Sequence, residues 1–177
     1  MLNALLLIIA IIIVAVLILA ATKPNIFRVE RSATINTAPD RIIALLEDFH
    51  QWGAWSPWEK LDPEMVRTFS GASSGKGAVY DWVGNKKVGK GRMEILDIEP
   101  RTLVRIKLDF LEPFEAHNTT EISLNYNGSA TTINWAMFGP ASFAIKVMHV
   151  FMNMDKMVGK DFETGLANLK ALAESKS

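Results

Sequence analysis

No cysteine occurs anywhere in the chain. Disulfides, thiolate metal sites and a cysteine nucleophile are therefore excluded. Histidine is nearly as scarce. His50, His117 and His149 lie far apart, so no His-based zinc motif exists and no metal ligands are assigned. Neither sign of charge is in excess, with 19 basic and 19 acidic side chains. A general nucleic-acid binder would carry a strong basic surplus, so nucleic acid is not an expected partner. Gly75 and Gly77 lack the full glycine pattern and following helix of a phosphate loop; they read as a hairpin turn. Ser56 lacks a nucleophile-elbow context.

What the chain does have begins at its N-terminus. Leu2 to Ala21 carries no charged residue. About 20 apolar residues at 1.5 Å each match the roughly 30 Å hydrocarbon core of a bilayer. We read residues 1–21 as a single-pass transmembrane anchor, which makes the membrane a partner through residues 2–21. The competing reading is a cleaved signal peptide. Ala20 and Ala21 are small enough for a cleavage site, but no basic n-region precedes the run, and the run exceeds a usual h-region. Lys23, Arg28 and Arg31 all follow the span, so the positive-inside rule places the remainder in the cytoplasm.

Residues 22–25 read as a linker, with Pro24 helping to end the helix. Residues 26–174 read as one domain. Ile26 to Ile35 is a predicted strand with Phe27, Val29, Ala33 and Ile35 on one parity. Arg31 shares that parity, so a bulge or strand end is expected nearby. Pro39 opens an amphipathic helix carrying Ile42, Ile43, Leu45, Leu46 and Phe49. Trp52, Trp55 and Trp58 follow at three-residue spacing, on a stretch that Gly53 and Pro57 make a poor long helix. Predicted strands then run over 65–70, 78–83, 91–98, 103–111, 116–125 and 131–138, separated by turn signals such as Asn127-Gly128. In the cleanest strand, Val104, Ile106, Leu108 and Phe110 point one way, and Arg105, Lys107 and Asp109 the other. After Gly139-Pro140, one long helix is predicted over 142–174, with an apolar stripe from Phe143 through Phe151, Met154, Val158 and Phe162 to Leu172. Gly159 and Gly165 suggest a slight bend in it. The expected fold is α+β: a curved antiparallel sheet of six to seven strands gripping a long C-terminal helix.

This order of elements resembles the START-like, or SRPBCC, helix-grip superfamily over Phe27 to Glu174. Several stretches resemble a bacterial subgroup labelled SRPBCC family protein or polyketide cyclase. They are Trp52 to Trp58 with Glu59-Lys60-Leu61-Asp62-Pro63, Gly75 to Tyr80, Leu108-Asp109-Phe110, Pro113 to Asn118, and Asn153 to Met157. The resemblance implies a cavity between sheet and helix. It supplies no catalytic residues and no cofactor, because one superfold hosts unrelated functions.

The ligand-binding candidates are Trp58, Tyr80, Trp82, Phe110, Asn118, Thr120, Trp135, Met137, Phe151 and Met154. Inward parity also brings Met93, Ile95, Val104, Ile106 and Leu108 to that face, with Val158 and Phe162 from the helix. Methionine suits variable apolar ligands because it is flexible and polarisable. Asn118 and Thr120 share the parity of Ile122, and an inward Asn must find a partner. Asp109 and Glu115 invite an acid–base reading, but Asp109 and His117 fall on the outward parity. Lys86, Lys87, Lys90 and Arg92 form a basic cluster suited to a solvated turn or to anionic headgroups. Trp52 and Trp55 are expected to close the fold, and Trp58 to stand at the rim. These residues point to a membrane-tethered module holding a hydrophobic small molecule or lipid. The alternatives are a cyclase- or dehydrase-like enzyme and a pocketless protein-interaction module.

Overall fold

The computed structural model describes residues 2–175. The first helix, α1 (Leu2–Ala21), leads into β1 (Ile26–Ile35) and a short α2 (Pro39–Leu46). Two 3-10 turns, Phe49–Ala54 and Pro57–Lys60, carry Trp52 and Trp58, and Trp55 caps the first of them. Then come β2 (Val66–Gly71), β3 (Ala78–Val83), β4 (Lys90–Glu99), β5 (Leu103–Glu112), β6 (Ala116–Tyr126) and β7 (Thr131–Pro140). The chain ends with α3 (Phe143–Phe151) and α4 (Met154–Glu174).

The seven strands form one antiparallel sheet in the order β1-β7-β6-β5-β4-β3-β2. Strands β2 to β7 are a meander, and β1 crosses over to pair with β7. Register shifts in β4, at Lys90/Gly91 and Ile95/Asp97, mark bulges that bend the sheet. Its inner face is apolar at strict two-residue spacing: Ile95, Val104, Ile106, Ile122 and Ile133 are all essentially inaccessible. Phe162, Leu166 and Leu169 of α4 meet that face. Burying each such side chain stabilises the fold by about 1.5–3 kcal/mol.

Two expectations need correction. The predicted single helix over 142–174 is two helices. Met152 leaves the helical region, with φ −122° and ψ 130°. Asn153 then caps α4 by accepting from the Lys156 N–H at 2.9 Å. An Asn followed by Asp155 in the first turn is an N-terminal signal that the continuous apolar stripe concealed. As a result Phe151 is 71% exposed on α3 and lies outside the cavity wall.

The second correction concerns Arg31. No bulge removes it from the inner face, because β1 pairs with β7 without interruption from Ile26 to Ile35. Its guanidinium instead reaches α4, bonding Asp155 Oδ1 at 2.9 Å and Glu163 Oε1 at 2.7 Å. Those bonds raise its pKa further above an already high value. Gly159 makes the approach sterically feasible, since a Cβ there would collide with the Arg31 guanidinium. The glycine seats a cation that ties β1 to α4.

Candidate functional site

Between the inner sheet face, the 3-10 turns and α4 lies a cavity of about 290 Å³. The turns contribute Trp52 and Trp58, β3 contributes Tyr80 and Trp82, and β4 contributes Met93. Leu108 and Phe110 come from β5, Thr120 from β6, Trp135 and Met137 from β7. Met154, Val158 and Phe162 complete the wall from α4. Strand alternation explains most of this set, because each strand sends every second side chain inward. Gly91 has a specific part: it pairs with Trp82, and a Cβ on it would run into the indole. The glycine therefore lets the Trp82 ring lie flat along the wall. Of the lining residues only Lys87, in the β3–β4 loop, is exposed, and it marks the open side.

The tryptophan run closes part of the cavity. A 3-10 turn has three residues per turn, so residues three apart stack on one side. Trp55 is fully buried and Trp52 nearly so. Their indole N–H groups donate to the Leu45 and Leu46 carbonyls, which anchors the run to α2. Trp58 is half-buried and lines the cavity, with its ring edge-on to Trp135 at 5.8 Å and to Phe162 at 6.1 Å. Trp52 and Trp58 both border the cavity, whereas Trp55 lies behind its wall.

The wall carries one strong polar device that sequence reasoning missed. Glu59 keeps only 10% of its side chain exposed. Its Oε1 accepts from the Tyr80 hydroxyl at 2.6 Å, and its Oε2 from Arg67 Nε at 2.6 Å. Burial and the bond to Glu59 push the Tyr80 phenol above its ordinary value of 10.0, so at neutral pH it remains a donor. The signal was available: Glu59 directly follows Trp58, and a carboxylate among aromatic rings needs a cation. Thr120 and Ser56 are the other buried polar residues on the wall. Asn118 faces inward but does not border the cavity. Its carboxamide lies over Gly139, and Asn118 Oδ1 and Trp135 Nε1 are the two buried side-chain polar atoms without a partner among the described residues.

One family model, described as polyketide cyclase/dehydrase and lipid transport, matches residues 27–174. The chain belongs to that family. No curated protein matches it. Among solved structures it resembles ginseng major latex-like protein 151 from Panax ginseng at 10% identity and TM-score 0.61, covering 86% of this chain and 100% of that one. It resembles protein CV1439 from Chromobacterium violaceum at 16% identity and TM-score 0.60, covering 87% and 100%. It also resembles BexL, a di-domain ARO/CYC protein from the BE-7585A biosynthetic pathway, at 15% identity and TM-score 0.61. That match covers 90% of this chain and 53% of BexL. At these identities the structures share the helix-grip fold.

In this cyclase/dehydrase-family chain, the acid–base candidates named from sequence do come together, but outside the cavity. Asp109 is buried on the outer sheet face, where Lys107 Nζ and His117 Nδ1 each lie 2.8 Å from a carboxylate oxygen. Glu115 Oε1 approaches His117 Nε2 at 3.2 Å. Burial alone would raise the Asp109 pKa, yet the bonds from Lys107 and His117 hold it below 3.8. The bond to Asp109 raises His117 above 6.5. A lowered carboxylate contributes stability above its unfolded pKa and loses it as pH falls through the folded value. A raised histidine contributes below its unfolded pKa and loses it as pH rises through the folded value. The cluster is therefore complete between the ordinary values of Asp109 and His117, 3.8 and 6.5. An NMR titration of His117 should give a midpoint above 6.5, and Asp109→Asn should bring it back down. A midpoint unmoved by Asp109→Asn would show that the bond is not formed in solution. His50 bonds Asp48 at 2.8 Å and stacks on Phe69, also away from the cavity.

Proposed function

We propose that this domain holds a hydrophobic small molecule, or the apolar part of a lipid, in the cavity beneath the tryptophan run. We further propose that residues 1–21 tether it to a membrane through linker 22–25, with the domain of residues 26–174 on the cytoplasmic side. The observation that carries the ligand reading is the cavity itself: walled by aromatic rings and methionines, and supplied with few polar groups. That is the usual composition of a small-molecule site, and 290 Å³ lies just below the roughly 300–1,000 Å³ usual for drug-sized ligands. The tether reading is supported by α1, whose 20 residues are long and apolar enough to cross a bilayer. Native mass spectrometry of the full chain purified from membranes should detect a bound apolar molecule. A chain that is empty and takes up no lipid or quinone offered to it would sink the reading.

Trp58 provides a sharper test. Its half-buried ring touches the cavity without sealing the core, so Trp58→Ala should weaken ligand retention about tenfold, about 1.4 kcal/mol. Stability should fall by less. Equal losses in dissociation rate and in denaturant midpoint would make Trp58 an ordinary core residue.

A second reading, cyclase- or dehydrase-type catalysis, is favoured by one observation. Glu59 and Tyr80 place a carboxylate and a phenol donor at the wall, within reach of a bound molecule. Proton transfer requires such groups within hydrogen-bond distance of the reacting atom. The Arg67 contact counts against it, because a paired carboxylate is a weaker base. Tyr80→Phe separates the two readings. Retained ligand with lost turnover supports catalysis, whereas a change confined to affinity supports binding alone.

A further inference from the structure

Helix α3 buries its one lysine and exposes the phenylalanines at both of its ends. Of its nine residues only Lys146 is buried. Phe143 and Phe151 are 51% and 71% exposed, and Met152 just beyond is exposed as well. In water, a helix packed on a domain turns its apolar side inward and leaves its lysine outside. Here the ammonium turns in and donates to Asn25 Oδ1, in the segment joining α1 to β1. The element packed against α3 is α1, the helix of membrane-spanning length. α1 is just as bare, since among its described residues only Ala20 is buried. A helix with outward phenylalanines beside such a span is arranged for apolar surroundings.

The strand register shows where this leaves the cavity. The chain enters β1 at Ile26, which pairs with Pro140 at the end of β7. Antiparallel alternation brings the start of β6, the end of β5, the start of β4 and the end of β3 to that same end of the sheet. Lys87, on the cavity's open side, lies in the β3–β4 loop at this end, and Met154 begins α4 there. Phe114, 63% exposed, tips the neighbouring β5–β6 turn. Exposed aromatic and methionine side chains with Lys86 and Lys87 among them suit a bilayer surface containing anionic lipid.

We infer that α3 lies in the membrane interface beside α1 and turns the open side of the cavity toward the bilayer. An apolar ligand then exchanges with the lipid phase directly, without crossing water. The inference rests on the reading of α1 as a membrane tether.

The absence of cysteine makes a direct test available. Single substitutions Phe143→Cys, Phe151→Cys and Phe114→Cys report on the proposed face, and all three positions are exposed, so packing is preserved. Ile11→Cys reports on α1, and Ser70→Cys on the far end of the sheet. Each full-length variant carries a fluorophore and is reconstituted in vesicles of phosphatidylcholine and phosphatidylglycerol. Labels at 143, 151 and 114 should be quenched several-fold more by nitroxide-bearing lipid than by aqueous iodide, as at 11, with the reverse at 70. If 143 and 151 behave like 70 while 11 stays lipid-quenched, the tether stands and the interfacial helix is overturned. If 114 alone behaves like 70, the orientation of the cavity is overturned. Iodide access at 11 removes the tether, and this inference with it.

Discussion

Replacing Trp135 with alanine should destabilise the domain by about 3–5 kcal/mol. The residue is 3% exposed, and its ring stacks on Phe162 of α4 with centroids 4.3 Å apart and planes 8° apart. Trp55 meets it at 5.4 Å and Trp58 at 5.8 Å, both edge-on. Gly165 keeps α4 close, since a Cβ there would stand 2.8 Å from Trp135 Cζ3. One side chain thus joins β7, α4 and both 3-10 turns. Domains of this size are stable by about 5–15 kcal/mol, so the loss is a large fraction of the total. Urea unfolding should show a lower midpoint with little change in slope. Trp135→Phe should lose much less, because a ring remains to stack and the indole N–H has no partner to forfeit. A loss below about 1 kcal/mol in the alanine variant would contradict the stack as a structural joint.

Glu59→Ala should be the second most damaging change. It removes in one step the acceptor of the Tyr80 hydroxyl and the counter-ion of Arg67. Breaking a fully buried ion pair from one side costs about 3–5 kcal/mol. Arg67 keeps 28% of its side chain exposed, so the cost here should fall below that range. Glu59→Gln retains an acceptor for Tyr80 and loses only the charge, so it should be milder. Thermal or urea denaturation of the two variants checks the order. If Gln and Ala are equally costly, the Tyr80 bond contributes nothing. If neither is costly, the wall does not depend on this pair. The ligand reading adds a further expectation: Glu59→Ala should loosen Tyr80 and raise the ligand off-rate.

Most of the sheet was legible because two-residue alternation is a local property. Val104, Ile106, Leu108 and Phe110 declared their face without reference to any other segment. Eight of the ten ligand-binding candidates border the cavity, and six of them are strand residues that this alternation turns inward. The two that do not border it were misplaced for different reasons. Phe151 continued the apolar stripe of α4 in sequence, but the break at Met152 carries it onto a different helix. Asn118 had the right parity, yet it sits over Gly139 just beyond the cavity wall. Glu59 and Arg67 were missed because their pairing joins a 3-10 turn to an edge strand eight residues on.

The sequence alone determined the antiparallel sheet, the apolar N-terminal helix and the absence of thiol chemistry. Each of these follows from composition or periodicity, which need no partner to be read. Which polar groups meet was set by three-dimensional packing. It put Arg31 on α4 across Gly159, Glu59 between Tyr80 and Arg67, and Asp109 with His117 on the outer face. It also buried Lys146 of α3 and left Phe143 and Phe151 exposed. Those outcomes depend on how curvature and helix packing bring distant residues within about 3 Å of one another, the distance at which hydrogen bonds and ion pairs form.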